Sequence, residues 1–184
     1  MMRKVVLAMT MLAAMWPQGA TAETESHCAY RLEPVAVKGP TTLATLVDLG
    51  CYDTFAEALS TGSEGTIVVD ASMTPEALTD ADLTASATAA SDVLIGTEYD
   101  AINYSSSSVS YFAPVTCSST KTWDVSYVGD LWNDRFASGR GFGGCDHNRK
   151  FKHADFNGDV QLCTPNCPSY GVLTEEVSSL RWKD

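Results

Sequence analysis

Asn133-Asp134-Arg135-Phe136-Ala137-Ser138, with Arg140 two places on, recurs as Thr174-Glu175-Glu176-Val177-Ser178-Ser179 with Arg181 two places on. Ser138 to Ser179 is a step of 41 residues. Each copy is led by an aromatic hairpin pattern, Tyr99-x4-Tyr104-x-Ser106 ahead of the first and Phe151-x4-Phe156-x-Gly158 ahead of the second. Features that recur in register mark an internal repeat, a supersecondary unit that buries its apolar face only against a neighbour. The two aromatics of each hairpin can pack over one turn of a folded-back chain. A glycine at the eighth position supplies the φ > 0 conformation that lets the chain double back.

The stretches around the repeat are short β-type runs: Val93-Leu94-Ile95, Val109-Ser110-Tyr111-Phe112, Trp123 to Val128, Val160-Gln161-Leu162 and Ser178 to Trp182. Gly, Ser, Asn and Pro separate them, which predicts an all-β sandwich. About 90 residues make one small core of this kind, marginal without covalent help.

Residues 93 to 182 resemble the βγ-crystallin family, whose paired Greek-key motifs each carry an aromatic-x4-aromatic-x-Gly hairpin and a later loop reading Asn/Asp-Asn/Asp-x-x-Ser/Thr-Ser. The ending Ser178-Ser179-Leu180-Arg181-Trp182 looks like the last strand of secreted bacterial members. The resemblance implies a mainly β fold, a Greek-key β-sandwich of two such motifs, here preceded by a small α+β N-terminal segment. It also implies Ca²⁺ sites built from side-chain oxygens at the second and fifth loop positions plus backbone carbonyls of the partner motif's hairpin. Such an oxygen shell suits a hard cation.

Carried over, the second positions are Asp134 and Glu175 and the fifth are Ala137 and Ser178, while Asp100 and Lys152 would offer backbone oxygens. The chain departs from the family at three of these places. Ala137 has no hydroxyl, Thr174-Glu175 replaces the Asn/Asp pair, and Ser106 stands where the first hairpin wants Gly. The metal residues expected on this basis are Asp134, Glu175, Ser178 and Asp100, with weak Ca²⁺ binding; Asn and Asp in loops also serve as turn residues that satisfy backbone groups.

The first 22 residues have the form of an export leader. Arg3 and Lys4 precede an apolar run from Val5 to Trp16, too short for the roughly 20 residues a spanning helix needs, and Ala20-Thr21-Ala22 is an A-x-A processing site. Pro17 and Gly19 would break a packed helix there. The expected organisation is a signal peptide over 1–22, a small N-terminal segment over 23–90 and the βγ-crystallin-like part over 91–184. Within 23–90, Asp53 to Leu59 reads as an amphipathic helix capped by Asp53 and ended by Gly62, Thr66 to Val69 as a strand, and Thr79 to Ser91 as a linker or loose helix.

The full chain of 184 residues has a net charge of −11, which loss of Arg3 and Lys4 takes to −13. A field of that sign repels phosphate backbones and anionic lipid heads, so neither nucleic acid nor, after leader cleavage, a membrane is the expected partner. An exported chain sits where disulfides persist. Locality pairs Cys28 with Cys51, Cys117 with Cys145 and Cys163 with Cys167. The alternative, a metal site of Cys145, His147, His153, Cys163 and Cys167, matches no common zinc spacing.

Other matches fail on context. Gly139 to Gly144 fits G-x-G-x-x-G but runs into Cys145 with no βαβ unit around it. Asp155 to Asp159 starts like an EF-hand loop but has its glycine at the fourth position. Asn103-Tyr104-Ser105 is a glycosylation sequon, meaningful only in a eukaryotic chain. Nothing places His27, His147 or His153 beside a nucleophile, so no catalytic constellation is nominated. The expected function is a secreted, non-enzymatic binding or structural protein. The alternative is a secreted peptidase inhibitor whose partner is an extracellular protease, held by the loop Cys163 to Cys167 with Pro165 and Pro168.

Overall fold

The computed structural model describes residues 25–84 and 92–184; the expected leader and residues 85–91 lie outside the described residues. The chain opens with a long antiparallel hairpin, β1 (His27–Lys38) and β2 (Thr41–Tyr52), turning at Gly39-Pro40. Side chains alternate across β1, as a strand requires. Cys28, Tyr30 and Leu32 enter the main core, whereas Ala29 joins a second cluster on the opposite face. The Cys28–Cys51 disulfide ties the open end.

The helix expected next is α1 (Phe55–Gly62). Its cap is Thr54 in place of Asp53: Thr54 Oγ1 accepts the Glu57 N–H at 3.2 Å, which satisfies one otherwise free helix-end donor, while its hydroxyl donates to the Glu57 carboxylate at 3.0 Å. Thr66 to Val69 is not a strand. The Ile67 N–H donates to Ser63 Oγ at 2.8 Å, so a local side-chain bond takes the place of a sheet ladder, and Ile67 drops into the cluster beneath α1. A short helix, α2 (Asp80–Thr84), lies in the stretch read as a linker or loose helix.

Seven strands follow: β3 (Val93–Tyr99), β4 (Ser108–Ala113), β5 (Thr122–Val125), β6 (Ser138–Gly141), β7 (His147–His153), β8 (Asn157–Cys163) and β9 (Ser179–Lys183). Five match the predicted runs, with β5 ending at Val125. β6 and β7 were not predicted as strands; they hold glycine and charged residues where periodicity shows no apolar alternation. The sheet order is β6-β3-β4-β1-β2-β5-β9-β7-β8.

Within it, β6-β3-β4 and β9-β7-β8 are the same three-strand arrangement used twice, with β5 of the first motif crossing to pair with β9 of the second. Cys167 returns the exchange by bridging Gly139 on β6. The N-terminal hairpin fills the gap between motif strands: β1 runs parallel to β4, and β2 parallel to β5. It therefore completes the sandwich along one side.

The core between the layers holds Trp123, Trp132 and Trp182 with Tyr111, Phe136 and Leu32, all fully buried or nearly so. The second cluster packs Phe55 and Leu59 of α1 and Leu78 onto Ala29, Leu94 and Phe112, covering the outer face of β3 and β4. Among the described residues no helix is long and apolar enough to cross a membrane.

Gly62 closes α1 directly on Phe112, and a Cβ there would stand 2.0 Å from the Phe112 ring. Gly62→Ala should therefore lower stability by about 1–3 kcal/mol through overpacking of a ring that has nowhere to go. Urea unfolding followed by tryptophan fluorescence checks this, and an unchanged midpoint would mean that α1 does not sit on β4.

Candidate functional site

The repeated loops and hairpins meet at one place and treat each other as equals. Asp134 N–H donates to Val177 O at 3.2 Å, and Glu175 N–H donates to Phe136 O at 2.9 Å, so the two loops are cross-bonded at their second residues. Both residues sit at positive φ, +58° and +60°. The last serine of each loop pins the folded-over hairpin of its own motif. Ser138 Oγ donates to Ala101 O at 2.6 Å and accepts the Tyr104 N–H at 3.0 Å. Ser179 Oγ does the same with His153 O at 2.7 Å and the Phe156 N–H at 3.1 Å.

The hairpin aromatics pack edge to face, Tyr99 on Tyr104 at 5.7 Å and Phe151 on Phe156 at 5.5 Å between centroids. Ser106 takes φ +68° where Gly158 takes +79°, so the first hairpin keeps the fold-back with a residue that pays a steric cost for it. Two loop-and-hairpin motifs, swapped at β5 and cross-bonded through their loops, form one sandwich. Residues 93–183 form a Greek-key β-sandwich of two motifs, the architecture that the resemblance implied.

No family model matches the chain, and no curated protein matches it. Several of the solved structures that match are βγ-crystallins. They include one from an archaeon (19% identity, TM-score 0.36, covering 48% of this chain and 96% of that one). Another is a βγ-crystallin domain from Clostridium beijerinckii (19% identity, TM-score 0.37, 48% and 97%). A third, a clostrillin double mutant in complex with nickel, is 16% identical with a TM-score of 0.37 over 49% and 98% of the two chains.

Three of the four expected metal residues come together. Asp134, Glu175 and Ser178 line a cavity of about 230 Å³ with Lys152, His153 and Glu176. Ser178 Oγ donates to Lys152 O at 2.9 Å and lies 3.3 Å from Asp134 Oδ1, so both loops and the second hairpin converge on it. Lys152 Nζ is held by Glu176 at 2.8 Å, a bond that raises the ammonium's pKa. The donor set of carboxylates, hydroxyl and carbonyl is all oxygen and fits a hard cation. Among the described residues no group of three His, Cys, Asp or Glu side chains is placed to hold a metal, so the Ser178 hydroxyl and the Lys152 carbonyl are needed to complete the set.

Asp100 belongs to the equivalent place in the other motif, which does not fit a cation. There Ala137 brings no side-chain donor, and the Arg135 guanidinium is 2.9 Å from the Asp100 carboxylate.

The six cysteines pair as locality suggested: Cys28–Cys51, Cys117–Cys145 and Cys163–Cys167. None is free, which removes the thiolates that the alternative zinc site required. The Cys163–Cys167 loop spends its backbone on the fold: Pro165 O accepts from Gly141 N–H and from Asn148 Nδ2, and Cys167 exchanges both backbone bonds with Gly139.

A buried ion pair at the centre was missed by sequence reasoning. Glu98 on β3 and Lys150 on β7 occupy equivalent positions, each just before the first hairpin aromatic, and both are wholly buried. Lys150 Nζ donates to one Glu98 oxygen and Tyr170 Oη to the other. The Trp182 ring lies 5.2 Å from the ammonium. Burial pushes Glu98 up and Lys150 down, and each charge opposes the shift of the other. The signal was present in the repeat, where opposite charges stand in register beside Tyr99 and Phe151.

Lys150→Met should destabilise the fold by about 3–5 kcal/mol, because it leaves Glu98 buried without a counter-charge. Glu98→Gln with Lys150→Met removes both charges and should recover much of that loss. Equal midpoints for the single and double variants in urea would contradict the pairing.

Proposed function

We propose that the chain is an exported, non-enzymatic βγ-crystallin-like protein that works outside the cell as a binding or structural module and takes up Ca²⁺ weakly at one of its two loop sites. The observation that carries the metal reading is Ser178. Its hydroxyl reaches Lys152 O and Asp134 Oδ1 together, so a cation there would join the two motifs through Asp134, Ser178 and Lys152, with Glu175 on the cavity wall. Bound Ca²⁺ supplies a compact double charge that offsets Asp134 and Glu175 and cross-links the loops. The export reading is supported by the leader pattern and by three disulfides with no cysteine left reduced.

The second reading, a peptidase inhibitor, is supported by the rigidity of the Cys163–Cys167 loop and the exposure of Thr164 and Asn166 on it. It ranks second because the backbone of Pro165 and Cys167 is committed to β6 and unavailable to an enzyme cleft.

Thermal unfolding in EDTA and in Ca²⁺ tests the first reading. Extracellular modules bind with Kd of about 10⁻⁴–10⁻³ M, so Ca²⁺ at ten times Kd adds about 1.4 kcal/mol and raises the midpoint by about 3–6 °C. Asp134→Ala and Ser178→Ala should each remove the rise. Overlaid curves, or a rise that survives Asp134→Ala, would overturn the assignment.

A further inference from the structure

Glu98, Lys150 and Tyr170 meet in the middle of the sandwich, and none of the three has any exposed surface. An ammonium brings three N–H donors and no lone pair. Among the described residues Lys150 Nζ has one hydrogen-bond acceptor, Glu98 Oε1, and otherwise faces the rings of Trp182 at 5.2 Å and Tyr170 at 5.8 Å. Glu98 receives one donor on each oxygen, Lys150 on Oε1 and Tyr170 on Oε2. Two full charges in so dry a place call for more hydrogen bonds than these. An amide in the same position carries no charge, and its carbonyl oxygen already has a donor in Tyr170.

The surroundings are shaped to this contact. Gly139 on β6 lies against it, and a Cβ there would stand 1.8 Å from Tyr170 Oη and 2.4 Å from Glu98 Oε2. The hydroxyl reaches the carboxyl because that position has no side chain.

We propose that Lys150 Nζ and the Glu98 carboxyl condense into an amide, with Tyr170 Oη holding the carboxyl oxygen that stays, so that the fold itself makes a covalent bond between β7 and β3. The reacting groups are already in contact, which gives the step the advantage of an oriented intramolecular reaction. Burial favours the uncharged amine and the uncharged acid, and those are the forms that react. Nζ first passes a proton to Oε1 and then attacks Cδ. The Nζ–Cδ bond forms, the Cδ–Oε1 bond breaks, and Oε1 leaves as water with that proton and a second one from Nζ. Oε2 carries the negative charge that develops on the way and becomes the amide oxygen, and Tyr170 donates to it throughout. The pair loses two opposite charges and one water, and no other reactant is needed. A site with no exposed surface excludes the water that would reverse the step.

No disulfide joins these two strands. Cys28–Cys51 closes the N-terminal hairpin, Cys163–Cys167 closes a loop of the second motif, and Cys117–Cys145 ties residues that lie on neither β3 nor β7. The amide ties one motif to the other and, unlike a disulfide, survives reduction.

Mass spectrometry of the reduced, denatured protein tests this. The chain should weigh one water less than its sequence, counted from the residue at which the isolated chain begins. Trypsin cuts after lysine and arginine, so an unlinked chain gives residues 39–121 as a free peptide and a cut after Lys150. The linked chain gives residues 39–121 joined to residues 150–152, with Lys150 uncut. Tyr170→Phe should slow the linkage about 10²-fold, read as the linked fraction against time after folding. Near-UV circular dichroism checks that the variant folds. Neither Lys150→Met nor its double with Glu98→Gln can form the bond, so their comparison in urea tests the pairing and the mass of the parent tests the link. A folded parent at full sequence mass, cut after Lys150, overturns the proposal. So does a lost water that maps to residues other than Glu98 and Lys150, or linkage in Tyr170→Phe as fast as in the parent.

Discussion

Two short parallel ladders hold this molecule in its form. His27–Arg31 runs beside Ser108–Phe112, and Thr41–Ala44 beside Thr122–Val125, so one hairpin occupies the edges of two strands that belong to opposite layers of the sandwich. An unpaired strand edge exposes a row of N–H and C=O groups, and a sandwich of two short sheets has several such rows. The N-terminal hairpin removes two of them at once. It also places Tyr30 and Leu32 in the main core and Ala29 under α1, so the pairing fixes which side chains face each layer. The Cys28–Cys51 disulfide closes the hairpin at the end where β1 meets β4.

Across the sandwich the two motifs share a backbone plan and invert their charges. Glu98 answers Lys150, Asp100 answers Lys152, and Arg135 answers Glu176 at equivalent places. The inversion makes the first motif complementary to the second at its centre, where Glu98 and Lys150 meet out of water. It also makes the two loop sites unequal. In one, Arg135 lies against Asp100 and Ala137 offers no oxygen. In the other, Lys152 pairs with Glu176, and Asp134, Ser178 and the Lys152 carbonyl meet at the cavity.

Much of this was legible in the sequence because the constraint is local. The aromatic spacing and the step between copies report a turn that only certain residues can make, and the structure adds the bonds by which Ser138 and Ser179 pin it. The hairpin over His27–Tyr52 was not legible, since its value lies in edges of β4 and β5 that are distant in the chain. Thr66–Val69 shows the converse failure: its β-branched residues promise a strand, but Ser63 takes the Ile67 N–H first. At the cavity, residue identity pointed to Asp134, Glu175 and Ser178, while the pairing of Asp100, the fourth residue expected there, with Arg135 depends on where the Arg135 side chain turns. Periodicity cannot report that.

The claim beneath all of this is that the hairpin is part of one cooperative sheet. Native-state amide exchange measures it directly, because each amide reports the free energy of the opening that exposes it. Amides of Tyr30, Leu32 and Thr42 should exchange only through the global unfolding that also exposes Tyr111 and Leu180. Exchange of the hairpin amides through a separate, lower-energy opening, with β3 to β9 still protected, would contradict the account.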